Sequence, residues 1–359
     1  MIRLRQFGFA IFAVVLLLTT IASVVASDLG KSVSDQVDVD SYRHYLDDML
    51  YTHTGQSRSR LSPQHDLARD NIANLFESFG LDVELEPFSA YGTTWYNVVA
   101  TQTGVDDPEV QYIVGAHFDS VSCPGADDNA SGTAAVLEIA RVVSQYDVPY
   151  TIKYIAFDLE EVGLLGSHAY VAAHGHDNIR AMINFDMISW RGFNQWIDVA
   201  GPWEAEELKQ TLHDAVLEYG RGLRPYLNYG SGGSDHASFI AAGIHAVMMS
   251  EKTLHSNPCY HSDCDTVDNV GYIDYVYASN MTRVVAGFLA DPNGVHWECL
   301  GDLDGSLQVN IADLAILLSH YGMTSGATME DGDLDYDGDV DLRDLAALLA
   351  RYGVNCLPS

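Results

Sequence analysis

The strongest constraint on the fold is the alternation of short β-rich runs with helical segments over residues 39 to 292. Apolar runs at 110–116, 151–157 and 181–185 have the length of buried strands, and helical segments such as 131–146 separate them. Strands that alternate with helices are typical of a parallel sheet covered by helices. The sequence therefore predicts the α/β class, with a mostly parallel sheet between helical layers.

The N-terminus has the pattern of a targeting signal. Arg3 and Arg5 precede an apolar run at 7–21, and small residues ending at Ala26 suit signal peptidase. We predict cleavage after Ala26 and a secreted or cell-surface protein without membrane contact. An uncleaved anchor is the alternative, because the apolar run approaches the length that spans a bilayer. The predicted division is a signal peptide at 1–26, a loose polar segment at 27–37, the α/β domain at 38–292, a linker at 293–298 and a second domain at 299–359.

The charge of the chain is strongly negative. Eighteen basic residues stand against 50 acidic ones, which gives a formal net charge of −32. Nucleic acid and anionic membrane surfaces repel such a field, so neither is expected as a partner. Part of this charge is expected to bind cations.

Acidic and histidine side chains directly follow three of the predicted strands. His117 follows the first strand, Glu160 and Glu161 come just after the second, and Asp186 follows the third. Ligands of open α/β sheets bind beyond the carboxyl ends of the strands, so these side chains are expected to meet in one crevice. Histidine nitrogen with carboxylate oxygen suits zinc or a similar divalent ion at a catalytic site.

Six fragments of this region carry a resemblance to a known family. They are His117-Phe-Asp119-Ser120, Gly125-Ala-Asp-Asp128-Asn-Ala-Ser-Gly132, Glu160-Glu161, Asn184-Phe-Asp186-Met187, Ser234-Asp-His236 and Tyr260-His261. In this order they resemble the secreted dinuclear-zinc aminopeptidases of metallopeptidase family 28. The resemblance implies an α/β/α sandwich around a mostly parallel mixed sheet.

The resemblance also implies the ligands of two Zn²⁺ ions. Asp128 is the bridging ligand, His117 and Asp186 complete one site, and Glu161 and His261 complete the other. All five positions hold residue types that the family permits. A degenerate, metal-free relative is therefore not indicated.

By the same resemblance, the reaction is removal of N-terminal residues from peptides. Two ions that share a water lower its pKa and produce a hydroxide nucleophile. Glu160 is the implied general base, which takes the water proton and passes it to the leaving amine. Tyr260 is the implied donor to the oxyanion. Asp119 is expected to orient His117 through its other ring nitrogen.

Other functions remain open at this point. Glutaminyl cyclases share the fold but use one zinc ion, and the complete five-ligand set argues against them. A carboxypeptidase or deacylase relative would have the same metal site. A binding module without activity is a further alternative. The sequence does not predict which substrate side chain is preferred.

The five cysteines differ in their expected roles. Cys259 and Cys264 flank Tyr260 and His261, as in some secreted members of the family, and a disulfide there would stiffen the loop. Cys299 and Cys356 bracket the second domain and would pair if its ends meet. Cys123 is left over as a free thiol.

The second domain contains an internal repeat. The segment that begins at Asp313 recurs at Asp344, and an acidic loop precedes each copy. The second loop fits a calcium site with oxygen ligands and a central Gly338, its ligands being Asp333, Asp335, Asp337, Asp339 and Asp344. The first loop departs from this pattern and predicts a weaker site formed by Asp302, Asp304, Ser306 and Asp313.

Two such loops, each followed by a short helix, resemble a dockerin. The implied unit is small and all-α, has two EF-hand-like loops and binds one or two Ca²⁺ ions. A dockerin implies attachment to a cohesin-like or cell-surface protein. Purely structural binding of calcium is the alternative, and the sequence does not separate the two.

Overall fold

The computed structural model describes residues 29–105, 107–192, 194–230, 232–252, 256–290, 301, 303–304, 306, 309–328, 331–334 and 338–353. The chain divides into two compact units, Met1–Val295 and His296–Ser359. Several predictions fall outside the described residues and stay predictions. These are the signal peptide, the linker, the pairing of Cys299 with Cys356, and the positions of Asp302, Asp335 and Asp337.

The first unit contains helices and strands that alternate along most of its length. The helices are α1 (Val39–His44), α2 (Pro63–Ser78), α3 (Gly132–Val143), α4 (Leu165–His174), α5 (Glu206–Tyr219), α6 (His236–Ala241) and α7 (Tyr275–Ala290). The strands are β1 (Asp82–Ala90), β2 (Thr93–Gln102), β3 (Asp107–His117), β4 (Tyr150–Phe157), β5 (Ile179–Phe185), β6 (Trp196–Ala200), β7 (Arg224–Asn228) and β8 (Ala246–Glu251). Helix α2 begins at Pro63, because the Ser62 hydroxyl accepts from the Gln64 amide and Pro63 occupies the first turn.

The eight strands form one mixed sheet in the order β1-β2-β4-β3-β5-β8-β6-β7. The central strands form three parallel pairs, which are β4 with β3, β3 with β5, and β5 with β8. Strands β1 and β2 add an antiparallel hairpin at one edge, and β6 pairs antiparallel with β8 near the other. The predicted α/β class with one mixed sheet is therefore confirmed. The three parallel strands that carry acidic or histidine residues at their ends lie side by side.

Helices cover both faces of this sheet. On one face, Ile113, Phe157 and Met182 pack against Tyr170 of α4 and Phe239 of α6. Successive strand residues point to opposite faces, so the alternate positions face the other side. There α3 contacts β3, β4 and β5, and α7 packs on both α3 and α5. The central strands are consequently buried on both sides.

Strands β6 and β7 were not predicted from the sequence. Each has only five residues, which is too short for a clear periodic signal. Pro225 in β7 also reads as a strand breaker, and the structure accommodates it because β7 is the last strand of the sheet.

The expectation of a loose segment at 27–37 is wrong for its described part. Residues 29–34 are helical, and Val33 and Val37 are buried. The Arg221 guanidinium also donates to Asp35 at 2.6 Å. Val33 lies in this helix and Val37 follows it after a turn, so the segment packs through two buried apolar side chains that its polar composition conceals.

The second unit is organised around two short helices, α8 (Ile311–His320) and α9 (Leu342–Ala350). Its described core consists of Val309, Leu317, Leu334, Val340 and Leu348. The sequence repeat is also a structural repeat. Asp313 accepts from the amides of Leu303 and Asn310, and Asp344 accepts from those of Leu334 and Asp341, each at 2.7 Å.

No helix within the described part of the chain has both the length and the apolar character needed to cross a membrane.

Candidate metal centre

The polar residues at the ends of the central strands meet as the sequence predicts. His117 is the last residue of β3, Glu160 and Glu161 lie in the loop after β4, and Asp186 follows β5. Because β4, β3 and β5 are adjacent and parallel, their carboxyl ends open on the same edge of the sheet. Asp128 lies in the segment Ala126–Ser131 that precedes α3, at a point where the backbone is not helical.

The two histidines contact different oxygen atoms of the Asp128 carboxylate. His117 Nε2 lies 3.5 Å from Asp128 Oδ1 and 3.7 Å from Asp186 Oδ1. His261 Nε2 lies 3.0 Å from Asp128 Oδ2 and 3.1 Å from Glu161 Oε2. Each histidine thus faces one oxygen of Asp128 and one further carboxylate.

Glu160 lies within the same group of side chains. Its Oε2 atom is 3.9 Å from His117 Nε2. Ligand atoms of His117, Glu160 and Asp186 all lie within 4.8 Å of one another, and so do those of His117, Asp128 and Glu161. The structure therefore brings together all five predicted zinc ligands and the predicted base.

Asp119 supports both the histidine and the two glutamates. Its carboxylate accepts the backbone amides of Glu160 at 3.0 Å and Glu161 at 3.3 Å. His117 Nδ1 lies 3.2 Å from the backbone oxygen of Asp119 and 3.4 Å from its Oδ1. The residue is therefore placed to orient His117, and it also anchors the loop that presents Glu160 and Glu161.

Two further supporting residues were missed by the sequence reasoning. Buried Asp265 accepts the backbone amides of Asp127 at 2.7 Å and Asp128 at 3.0 Å. Buried Arg58 lies behind the loop that joins His117 to Asp128. Both are single charged residues in irregular segments, where neither spacing nor periodicity gives a signal.

Within the described part of the chain, the hydrogen bonds of the Arg58 guanidinium all go to backbone carbonyl groups. It donates to Phe118 at 2.6 Å, Pro124 at 2.6 Å, Gly125 at 2.7 Å and Leu50 at 2.9 Å. Three of these carbonyls belong to the loop before Asp128. Gly125 itself has a φ of 59°, and an added Cβ there would collide with the carbonyl oxygen of Asp128, so the loop passes too close for any other residue.

A disulfide-closed loop carries His261 and Tyr260. Cys259 and Cys264 are bonded, as predicted, with Cα atoms 5.2 Å apart. The Tyr260 ring stacks on His261 at a centroid distance of 3.9 Å and is 47% exposed. The side chain of Asn257 accepts from the Cys259 amide at 3.0 Å, which fixes the start of the loop. Cys123 is a buried free thiol.

The electrostatics of the cluster favour added positive charge. Burial, together with the carboxylates of Asp235 and Asp186, raises the pKa of Glu160 to about 10, although His117 opposes the shift. Burial, together with Glu161 and Asp186, raises the pKa of Asp128 to about 7. Divalent cations would offset this crowding of carboxylates. The histidine and carboxylate donors suit zinc, so the residues present fit such ions.

The cluster opens into a cavity of about 170 Å³. Part of its wall is formed by the histidines and carboxylates described above together with Tyr260. Another part comes from β6, β7, β8 and the glycine-rich loop after β7. The metal ligands and these strands therefore line the same cavity.

Two histidines and four carboxylates thus meet at the strand ends of an α/β sheet. This arrangement is typical of proteins that bind divalent cations. The model of peptidase family M28 matches residues 97–289, which is more than half of the chain. The chain belongs to this family.

Curated relatives support this assignment over part of their length. The leupeptin-inactivating enzyme 1 of Streptomyces exfoliatus is 30% identical over 248 residues, covering 62% of this chain and 54% of the relative. Aminopeptidase YwaD of Bacillus subtilis is 33% identical over 183 residues, covering 46% of this chain and 38% of the relative. The chain thus spans about half the length of the curated relatives it matches.

Solved structures show the same fold in proteins with different names. The LapA aminopeptidase of Legionella pneumophila matches with a TM-score of 0.64 and 21% identity, covering 73% of this chain and 74% of that one. A glutaminyl cyclase of Bacteroides thetaiotaomicron matches with a TM-score of 0.57 and 21% identity, covering 71% and 98%. The fold alone therefore does not distinguish these activities.

Proposed function

We propose that this protein is a secreted, zinc-dependent aminopeptidase that removes N-terminal residues from peptides. The observation that carries the proposal is the division of Asp128 between two histidines, each with its own second carboxylate. That arrangement supports two ions that share Asp128 as a ligand. Membership of peptidase family M28 and the aminopeptidase named among the relatives support the reaction.

His117, Asp186 and Asp128 would hold one ion, and Glu161, His261 and Asp128 the other. Bound zinc would polarise the scissile carbonyl group and lower the pKa of a water molecule. Glu160 would accept the water proton at Oε2 and deliver it to the leaving amine. The amides of Glu160 and Glu161, held by Asp119, keep this carboxylate in place. The Tyr260 hydroxyl would donate to the carbonyl oxygen from the edge of the cavity.

Two other enzyme classes remain as alternatives. A glutaminyl cyclase is favoured by the shared fold, but the complete set of ligands for two ions argues against it. A carboxypeptidase or deacylase would use the same ligands and differ in the substrate end that it binds.

The test compares an aminoacyl 4-nitroanilide with its N-acetylated form. We expect cleavage of the free-amine substrate only, loss of activity after chelation and its return with zinc. Cleavage of the blocked substrate would select a carboxypeptidase or deacylase. Release of a pyroglutamyl product from a glutaminyl peptide without hydrolysis would select the cyclase.

A Glu160→Gln variant tests the base separately from the metal site. We expect it to retain zinc and to lose about 10²- to 10⁴-fold in kcat, because amide oxygen cannot accept the proton. Glu77→Gln, an exposed residue of α2, is the matched control and should keep full activity. Near-normal turnover of Glu160→Gln would refute this role for Glu160.

We further propose that the second unit is a dockerin-like calcium-binding domain. Asp339, Asp341 and Asp344 bring carboxylate oxygens within 4.8 Å of one another, and oxygen ligands are those that calcium prefers. The matching bonds of Asp313 and Asp344 support two related loops, the first being weaker. A cohesin-like partner on a scaffold or cell surface would bind this unit; structural calcium binding alone is the alternative.

A further inference from the structure

Part of the cavity wall is one face of the three strands β6, β7 and β8. Asp198 of β6 pairs with Ser250 on β8 and Tyr226 on β7. Ala200, two residues further along β6, pairs with Met248 and Asn228. Cross-strand partners share a face of the sheet, so these side chains lie on one surface, and all of them except Tyr226 line the cavity.

An ion pair occupies this wall. Lys252 Nζ lies 2.8 Å from Asp198 Oδ1, and Asn228 donates to Asp198 Oδ2 at 3.2 Å. Lys252 also lies over the Tyr226 ring, 3.4 Å from its centroid. The Asp198 side chain is 14% exposed and that of Lys252 is 33% exposed. The pair is thus electrically neutral, held by several contacts, and still in reach of water.

The ion pair of Asp198 and Lys252 affects the free energy of placing different substrate side chains against this wall. A leucine side chain would displace the water around Asp198 and Lys252 without replacing its hydrogen bonds, and desolvating charged groups in this way is costly. A charged side chain would be attracted by one member of the pair and repelled by the other. An uncharged polar side chain can exchange hydrogen bonds with the ammonium group, which has three donors.

We propose that the Asp198–Lys252 pair sets the side-chain preference of the enzyme, and that its substrates are peptides whose first residue has an uncharged polar side chain. Serine, threonine, asparagine and glutamine belong to this class. The inference rests on the proposed aminopeptidase function and names the substrate class of the same site.

The first measurement compares kcat/KM for glutaminyl, seryl, leucyl, glutamyl and lysyl 4-nitroanilides with the zinc-loaded full chain. We expect the polar substrates to exceed the leucyl one by about tenfold or more, since a site with polar groups rejects a side chain that leaves them unpaired. A leucyl substrate that is cleaved best would overturn the inference and leave the aminopeptidase function intact.

The second measurement changes each charge of the pair separately. Asp198→Asn keeps the size of the side chain and leaves the Lys252 charge uncompensated, so kcat/KM for the glutamyl substrate should rise relative to the glutaminyl one. Lys252→Met leaves the Asp198 charge, so the lysyl substrate should gain instead. Lys31→Met is the matched control, because Lys31 forms a comparable pair with Asp35 at 3.6 Å on the exposed surface.

The double variant Asp198→Leu with Lys252→Met replaces the pair by apolar side chains. It should invert the preference toward the leucyl substrate by about tenfold or more. If it does not fold, the nearly isosteric Asp198→Asn decides the question. Unchanged ratios in all variants would overturn the inference alone, whereas failure of the wild-type protein to cleave any free-amine substrate would overturn the proposed function as well.

Discussion

Single charged residues hold two of the loops that carry the metal ligands. Arg58 binds carbonyl groups of the loop before Asp128, and Asp119 binds amides of the loop that presents Glu160 and Glu161. The loop after β4 also has backbone hydrogen bonds of its own, such as those from Leu165 to Leu159 and from Gly166 to Asp158. The side chains of Arg58 and Asp119 provide partners for further backbone groups, and buried polar groups without partners are costly.

Arg58 offers a test of this arrangement. Arg58→Met leaves four buried carbonyl groups without their donor, at about 1–3 kcal/mol for each unsatisfied group. We expect the free energy of unfolding, measured by chemical denaturation, to fall by at least about 3 kcal/mol. Zinc retained after dialysis should also decrease. Arg58→Lys should recover part of the loss only, because an ammonium group lacks the fork of donors.

Arg60 provides the comparison for that experiment. It is half-buried and lies over the Tyr91 ring, 4.4 Å from the centroid. Arg60→Met should change the free energy of unfolding by less than about 1 kcal/mol. An equal loss in both variants would show that Arg58 has no special role in the loop.

At the scale of single residues, the sequence predicts the metal ligands better than the residues that hold those ligands in place. The motifs name His117, Asp128 and Asp186, and the structure gathers them as expected. Arg58 and Asp265 have no motif, because their partners are backbone groups that carry no residue identity. Only the folded chain shows which of the charged residues outside the motifs are buried.

The loop from Cys259 to Cys264 is the element with the most direct influence on one half of the metal site. It contains His261, which adopts a positive φ of 54°, and Tyr260, which stacks on it. The loop contains no helix or strand. The disulfide and the contact of Asn257 with the Cys259 amide therefore keep His261 in position.

Removing this disulfide should affect one ion more than the other. In the double variant Cys259→Ser with Cys264→Ser, we expect a loss of about 2 kcal/mol in the free energy of unfolding, from the entropy of the opened loop. The zinc content, measured by elemental analysis after dialysis, should fall from two ions toward one, because His261 belongs to one site only. Equal loss of both ions would contradict this assignment; the oxidised wild type is the control.

The predicted elements differ in how well they match the structure. Long elements such as α3 and β3 lie within a few residues of the predicted segments 131–146 and 110–116. The five-residue strands β6 and β7 were missed, although they form the wall of the cavity that carries Asp198. A strand this short is stabilised by its neighbours in the sheet rather than by its own pattern.

At the scale of the whole molecule, each of the two compact units contains a cluster of possible metal ligands. The cluster of the first unit combines histidines with carboxylates, a donor set that suits zinc, and the cluster of the second has carboxylates alone, which suit calcium. The strong negative charge predicted to bind cations is thus partly concentrated at these two places. The two metals should be separable by their ligand chemistry.

Calcium binding can be tested on the full, zinc-loaded chain by titration calorimetry. We expect at least one calcium ion to bind, and a thermal shift equivalent to about 2.7 kcal/mol when calcium is at 100 times Kd. Asp339→Asn should weaken this binding about tenfold or more, because it removes one charged oxygen ligand. Asp331→Asn, outside the cluster, is the control. Absence of both heat and thermal shift at millimolar calcium would refute the calcium site.

The order of side chains along the chain determined the class of fold and the chemistry of the metal centre. Residues at the ends of parallel strands meet because strand direction alone brings them to one edge of the sheet. The pairing of Asp198 with Lys252 had a different origin. It depends on β8 lying between β5 and β6 in the sheet, an order that differs from the order along the chain. Such non-local pairing is decided by the packing of the whole domain, so only the tertiary structure revealed the wall that we propose selects the substrate.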